Sequence, residues 1–377
     1  MLIAEARVLD LRVAVLDPDP EAPCASLADR FWCGGLDDPS AIARLVDECA
    51  VTTWEIEHIN VDAVAGRVER GAVVRPDPNV LRIVQDKAAQ RRRFSEAGLP
   101  GPRWCEFSPE GDAHLQEALL IAFGLPAVQK LRRGGYDGRG VTTLRAADTP
   151  RLPGPSILEE LVEIEYELAV LVARALDGST VCYDPVQMRF DPVRNICTHV
   201  IAAPSELSPV APEIAREARR IAEAAVTALD GVGIFGVELF VEKGSPGRVL
   251  LNEVAPRPHN SGHYTIDACA TSQFAQHLRA VLGLPLGSPE IFCPAVMVNL
   301  LGEGKPGPVA VDGLDRALSL PGVTVHLYGK RRSAPGRKMG HLTAIGATVA
   351  EALDRADRAA GCIQIHGAPS PEGGHRG

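Results

Sequence analysis

No apolar run in the 377-residue chain approaches the roughly 18 residues that read as a membrane-spanning helix. The first residues, which include Glu5 and Arg7, carry no signal-peptide pattern. Positive charge is in deficit. A net charge of −9 argues against a general binder of nucleic acid or anionic membrane, yet leaves room for a local basic pocket. The nine cysteines include no CxxC pair and no ligand-like spacing, so a reduced, cytoplasmic protein is expected and not a disulfide framework. There are no internal repeats and no Gly-Lys-Ser/Thr phosphate loop. What remains is ordinary for a globular protein: 46% apolar and 23% charged residues, in a length that suits two or three domains.

The densest chemistry lies in Leu251–His263, LNEVAPRPHNSGH. Asn252 and Glu253 end an apolar run, and Arg257, His259 and Asn260 follow closely. A second apolar run, Gly236–Glu242, contains Glu238, and Lys243–Gly247 between the runs reads as a hairpin loop. A hairpin symmetric about Ser245–Pro246 places Glu238 directly opposite Glu253. Two facing carboxylates among apolar neighbours call for a compensating cation, and oxygen-only ligands favour Mg²⁺. The same residues also fit a solvent-facing hairpin edge.

From the start, Met1–Leu9 reads as helix and Arg12–Leu16 as strand, closed by Asp17-Pro18-Asp19-Pro20. Asp38-Pro39-Ser40 opens a helix to about Cys49, Val51–Trp54 is a strand, Val61–Glu69 a helix and Ala72–Val74 a short strand. That alternation predicts a parallel sheet with ligands at the strands' C-terminal ends, where Glu55 and Glu57 fall. Asn79–Ala97 reads as one basic helix carrying Lys87, with Arg91-Arg92-Arg93 as a solvated face. Pro100-Gly101-Pro102 reads as a hinge. A helix from about Asp112 to Ala122 is followed by a strand, Ala127–Lys130.

That strand enters Lys130-Leu-Arg-Arg-Gly134-Gly135-Tyr136-Asp137-Gly138-Arg139-Gly140. Closely spaced glycines let backbone N–H groups approach anionic oxygens, and a lysine adds a point charge, so a phosphate-covering lid is expected here. Strands follow at Ser156–Leu161, Tyr166–Val172, Thr180–Tyr183 and around Gln187-Met188. Pro212–Leu229 is an amphipathic helix stopped by Asp230-Gly231. Gly231-Val-Gly233-Ile-Phe-Gly236 matches GxGxxG, but it follows a helix and precedes a strand, the reverse of a dinucleotide fingerprint. After His263 a helix is predicted to Leu282, then strands Val296–Leu301 and Thr324–Tyr328 and a last helix, Ala350–Ala360. Pro335–His341 reads as a loop whose Arg337-Lys338 pair, with Lys330 nearby, suits a phosphate clamp.

Lys130 with GGYDGRG, then LEEL, Glu238, NEVAPRPHNSGH and PGRKMGH, in this order, resemble the ATP-grasp enzymes of purine biosynthesis, N5-carboxyaminoimidazole ribonucleotide synthetases most closely. The resemblance implies a mixed α/β and α+β chain. Residues 1–85 would form a parallel α/β pre-ATP-grasp domain, 86–285 an ATP-grasp domain with its lid, 286–366 a small C-terminal domain and 367–377 a disordered tail. It implies ATP- and bicarbonate-dependent carboxylation of 5-aminoimidazole ribonucleotide through carboxyphosphate, with Mg²⁺, in a cytoplasmic homodimer. Lys87, Lys130 and Gly134–Gly140 would meet the ATP phosphates. Glu159, Glu160, Leu161 and Val162 would line the adenine, Glu167 would hold the ribose, and Gln187 would be a further nucleotide contact. Glu238 and Glu253, beside Asn252, would hold the metal. Arg257, His259 and Asn260, closed over by Tyr136 and Asp137, would face the transfer site, and Glu57, Lys330, Arg337 and Lys338 would bind the ribonucleotide.

Gln187-Met188 departs from the family's usual acidic or histidine residue followed by asparagine. The family also usually begins with a strand and a Gly-rich loop, whereas Met1 falls where the following helix starts, so a domain truncated at its beginning is expected. Other readings of the same residues are an ATP-grasp ligase for a different amine, or a nucleotide-binding relative without catalysis.

Overall fold

A computed structural model of the chain describes residues 1–108, 113–135, 140–244 and 247–368. In the N-terminal part, strands Ala14–Asp17 and Arg30–Cys33 pair in parallel. Helices Pro39–Glu48 and Val61–Val68 bury Ile42, Val46, Val61 and Val64 with Trp54, Val74 and Leu81. Asp38 caps the first helix by accepting from the Ser40 N–H at 2.8 Å, as the Asp-Pro-Ser signal predicts. The strands expected at Val51–Trp54 and Ala72–Val74 shrink to one parallel bridge, Thr52 to Val74. Arg30–Cys33, which pairs instead, is short and half exposed and gives little apolar signal.

The expected helix Asn79–Ala97 is two helices, Pro78–Val84 and Lys87–Glu96. Asp86 makes the break: its carboxylate accepts from the Ala88 N–H at 3.0 Å and restarts the helix. Lys87 thereby becomes the first residue of the new helix, and its N–H donates to the Arg132 carbonyl at 2.9 Å.

Four antiparallel strands form a small sheet in the order Trp104–Phe107, Ser156–Glu160, Ala127–Leu131, Val141–Leu144. It packs Phe107, Leu144 and Leu158 against Leu120 and Phe123 of helix Ala113–Phe123. Facing it is a larger sheet whose path begins Val249–Ala255, Gly233–Glu242, Ile164–Arg174, Val186–Phe190, Cys197–Ala202, Ala295–Glu303. One face is covered by helix Pro212–Leu229 through Ile214, Ala218, Ile221, Ala225 and Leu229, the stripe that the sequence predicts. Asp230 ends that helix in the left-handed region, φ 53°.

The C-terminal residues do not build a separate sheet. Val200 pairs with Met297 and Val298 with Leu342, so strands Ala295–Glu303, Lys338–Ile345 and Val323–Leu327 extend the large sheet. Helix Val349–Cys362 covers this extension. Two further expectations need correction. The helix after His263 is broken into Thr265–Ala268 and Gln273–Leu282, because Cys269 turns extended to bridge Ile291 and Ser272 caps a new start. Pro335–His341 is a loop only as far as Arg337, since Lys338 pairs with Leu301 and opens a strand. The expected 367–377 tail lies outside the described residues from 369 onward.

Candidate active site

Glu238 and Glu253 are direct cross-strand partners, as the hairpin symmetry predicts. The symmetry is not kept toward the loop, where Leu239 pairs with Leu251 and Asn252 is the extra, bulged residue. Ser245 and Pro246 at the expected loop tip lie outside the described residues. In a regular strand Asn252 and Glu253 would point to opposite faces. The bulge re-aims them toward one cluster, a common use of bulges beside active sites. Asn252 Nδ2 lies 3.5 Å from Glu238 Oε2, and its Oδ1 accepts from Lys130 Nζ at 3.2 Å. Glu253 Oε2 lies 3.2 Å from Lys87 Nζ. The Lys87 ammonium, outweighing burial, holds the Glu253 carboxyl at about 2, and Glu253 raises Lys87 in return.

Beneath this pair sits Glu159. Its Oε2 is 2.7 Å from Lys130 Nζ and its Oε1 is 2.5 Å from Arg91 Nε. Burial pushes this carboxyl up, but Arg91 and then Lys130 outweigh it and hold the group at about 2. Arg91 is therefore not part of a solvated face. It is buried, and it also donates to the Leu251 carbonyl at 2.6 Å. Consecutive helical residues point about 100° apart, so the three arginines diverge: Arg92 pairs with Glu106, and Arg93 donates to the Ala228 carbonyl at 2.6 Å. The Glu159 side chain is committed to Arg91 and Lys130, so the expected adenine-lining role would fall to backbone groups of this stretch. The Glu160 N–H is already donated to Arg103, and Leu161 and Val162 follow the strand's end with Leu161 exposed.

Glu167 pairs across the sheet with Phe240, two residues from Glu238 and on the same face. Burial first, then Glu238, pushes its carboxyl up to about 7, against the pull of Lys130. Three carboxylates thus crowd one place, the charge pattern that a divalent cation would relieve. Gln187 is not with them. It pairs with Leu168, whereas Met188 pairs with Glu167, so Gln187 lies on the opposite face of the sheet from Glu167.

His259 reaches Glu238 from the other side, Nε2 to Oε1 at 3.3 Å. Gly236 makes this possible, because a Cβ there would lie 2.5 Å from His259 Cβ. The ring is held by Ser261 Oγ at 2.8 Å, and Gln273 clasps the His259 backbone from both sides. The GxGxxG run thus has a packing role: Gly233 likewise makes room for His277, which accepts from the Ile234 N–H at 3.1 Å. Arg257 Nε lies 3.1 Å from Glu57 Oε1, so the N-terminal part reaches the site. Asn260 exchanges amide hydrogen bonds with Asn299 at 2.8 Å. Gly134, Gly135 and Gly140 flank the expected lid tip, while Tyr136, Asp137, Gly138 and Arg139 lie outside the described residues.

Lys330 donates to the Lys338 carbonyl at 2.7 Å, and Arg337 to the Arg332 carbonyl at 2.8 Å. Burial, then the neighbouring Arg337 and Lys338, push the Lys330 ammonium down to about 8. Several supports went unread in the sequence: Arg91, Asn299, Gln273, and Asp86, which grips Arg132 at 2.6 Å as well as capping the Lys87 helix. Only Asp86 left a local signal, as a helix cap in front of Lys87.

Comparison with known proteins is consistent from end to end. The ribonucleotide synthetase preATP-grasp domain model matches residues 1–85, the ATP-grasp domain model residues 92–274, and the phosphoribosylaminoimidazole carboxylase C-terminal domain model residues 295–355. N5-carboxyaminoimidazole ribonucleotide synthase of Synechococcus elongatus is 36% identical over 390 residues, covering 100% of this chain and 94% of the relative. The solved N5-carboxyaminoimidazole ribonucleotide synthetase of Thermotoga maritima is 41% identical with a TM-score of 0.87, covering 97% of this chain and 96% of that one. The Aspergillus clavatus N5-carboxyaminoimidazole synthase, solved with ADP and 5-aminoimidazole ribonucleotide, is 30% identical with a TM-score of 0.84, covering 95% and 94%.

Proposed function

The chain belongs to the N5-carboxyaminoimidazole ribonucleotide synthase family, and on that premise we propose how its residues carboxylate 5-aminoimidazole ribonucleotide at the expense of ATP. Bicarbonate attacks the γ-phosphorus of ATP and expels ADP, giving carboxyphosphate. The substrate amine then bonds to the carboxyl carbon, phosphate leaves, and the amine gives up a proton. Phosphoryl transfer of this kind rests on positioning and charge neutralisation. Lys87 and Lys130 neutralise the ATP phosphates, with Glu159 and Arg91 fixing Lys130 from beneath. Glu238 and Glu253, with Asn252 beside them, would hold Mg²⁺, which would supply charge neutralisation for the phosphates. Glu167 accepts from the ribose hydroxyls, and backbone groups near Leu161 and Val162 meet the adenine.

Arg257, His259 and Asn260 face the carboxyl being transferred. Gly134–Gly140, with Tyr136 and Asp137, close over it and keep carboxyphosphate from water. Lys330, Arg337 and Lys338 take the ribonucleotide phosphate, and Glu57 orients Arg257. Residues 1–85, 86–285 and 286–366 act as pre-ATP-grasp, ATP-grasp and C-terminal units. The family resemblance supports a homodimer. Nine free cysteines support a cytoplasmic location, and no helix among the described residues is long and apolar enough to cross a membrane.

The observation that carries this reading is the facing Glu238–Glu253 pair flanked by two lysines. The deciding experiment is phosphate release from ATP with bicarbonate, with and without 5-aminoimidazole ribonucleotide. Release coupled to carboxylated product supports the reading, and release with a different amine alone redirects it.

A further inference from the structure

Away from the carboxylate pair, the junction between the short helix Thr265–Ala268 and the C-terminal strands holds a second polar cluster. His326 and His341 are direct cross-strand partners whose rings stack at 4.6 Å and 20°. His326 Nε2 lies 2.9 and 3.2 Å from the two Asp267 oxygens. One donor atom from each of Asp267, His326 and His341 falls within 4.8 Å of the other two. His341 is fully buried, its Nδ1 meets the Tyr328 hydroxyl at 3.1 Å, and its Nε2 has no partner. A buried ring nitrogen without a partner is costly, which marks a place for a missing group.

We propose that Asp267, His326 and His341 bind a divalent transition-metal ion of the zinc type, which staples the C-terminal strands to the ATP-grasp core. Two imidazoles and a carboxylate are a zinc-like donor set, unlike the oxygen-only set at Glu238 and Glu253. Two ligands on one tetrahedral ion with bonds of about 2.0–2.1 Å lie roughly 3.3 Å apart. The His326–Asp267 separation is already close to that, and His341, whose donor atom lies within 4.8 Å of the other two, has to draw in. Burial keeps the His341 imidazole neutral at ordinary pH, with a lone pair free to bind. The Tyr328 hydroxyl at Nδ1 fixes the ring, as outer partners of metal-bound histidines do. On binding, the hydrogen between His326 and Asp267 moves to the other ring nitrogen or to solvent.

The test uses the full chain, stripped with a chelator and then kept in excess Mg²⁺ to fill the Glu238–Glu253 site, with Co²⁺ as an optical probe. The expected result is one Co²⁺ per chain, displaced by Zn²⁺, with a rise in melting temperature. Asp267→Asn and His326→Ala should each weaken binding by more than ~100-fold, and Tyr328→Phe by ~10–100-fold. Glu253→Gln should leave it unchanged. His326 is partly exposed, so its loss is compatible with folding, and Tyr328→Phe gives a second reading if it is not. No saturable binding, binding unaffected by Asp267→Asn and Tyr328→Phe, or binding lost only in Glu253→Gln would overturn the proposal.

Discussion

Glu238 and Glu253 face each other across two antiparallel strands, and the ladder slips by one residue immediately beside them, at Asn252. The slip puts an amide and two carboxylates on one side, within reach of Lys87 and Lys130. Glu253→Gln keeps the shape and removes a charge. ATP turnover should fall ~10²–10³-fold, the usual cost of losing one electrostatic stabiliser of a transition state. Unchanged turnover at saturating Mg²⁺ would show that Glu253 holds no metal.

Glu159→Gln should act on stability. It leaves Arg91 buried without its counter-charge, a loss of about 3–5 kcal/mol. The Glu159 carboxyl titrates at about 2 in the folded chain against 4.5 ordinarily. A depressed carboxylate stabilises fully above its unfolded value and loses that contribution as pH falls through the folded one. The gap between wild type and variant in urea unfolding should be full at pH 7 and shrink from about pH 4.5 downward. Equal midpoints at pH 7 would contradict the assignment.

Local patterns carried much of this far in the sequence. The buried stripe of Pro212–Leu229 and the facing of Glu238 with Glu253 were both legible, because each depends on a short stretch with one period or one turn. What was not legible depends on distant partners. Nothing near Arg91 says that Glu159 will meet it, and nothing near Gln187 says which face the pairing with Leu168 selects. The continuity of the C-terminal strands with the core rests on Val200 meeting Met297, a contact between distant parts of the chain. The bulge at Asn252 leaves no mark in composition at all.

Gly236→Ala tests the space given to His259. The added Cβ would lie 2.5 Å from His259 Cβ and Cγ, so the ring must shift. Overpacking of this kind costs about 1–3 kcal/mol. Turnover with ribonucleotide should fall while the Michaelis constant for ATP changes little. A normal turnover number would mean that His259 is not needed at the transfer site.

Lys338→Ala should weaken the ribonucleotide and spare ATP. A lost charge-assisted contact is worth roughly 1.5–3 kcal/mol, or ~10–100-fold in the ribonucleotide Michaelis constant. A rise in the constant for ATP instead would move Lys338 out of the phosphate clamp.

Lys330 gives that clamp a pH dependence. In the free protein its ammonium titrates at about 8, pushed down by burial and then by Arg337 and Lys338. Only the charged form attracts a phosphate strongly, so binding must return a proton to Lys330 wherever it has been lost. Ribonucleotide affinity should therefore be flat between about pH 7, above the second ionisation of the phosphate at about pH 6, and about pH 8. Above it, affinity should fall by up to tenfold per pH unit, until other groups titrate. Calorimetry in two buffers of different ionisation enthalpy should show proton uptake on binding at pH 8.5 and little at pH 7. Lys330→Arg keeps its charge across this range and should flatten the profile. Lys338→Ala removes one of the repelling cations, so the break in its weaker profile should move to higher pH. The same break in wild type and Lys330→Arg would assign the titration to another group and remove Lys330 from contact with the phosphate.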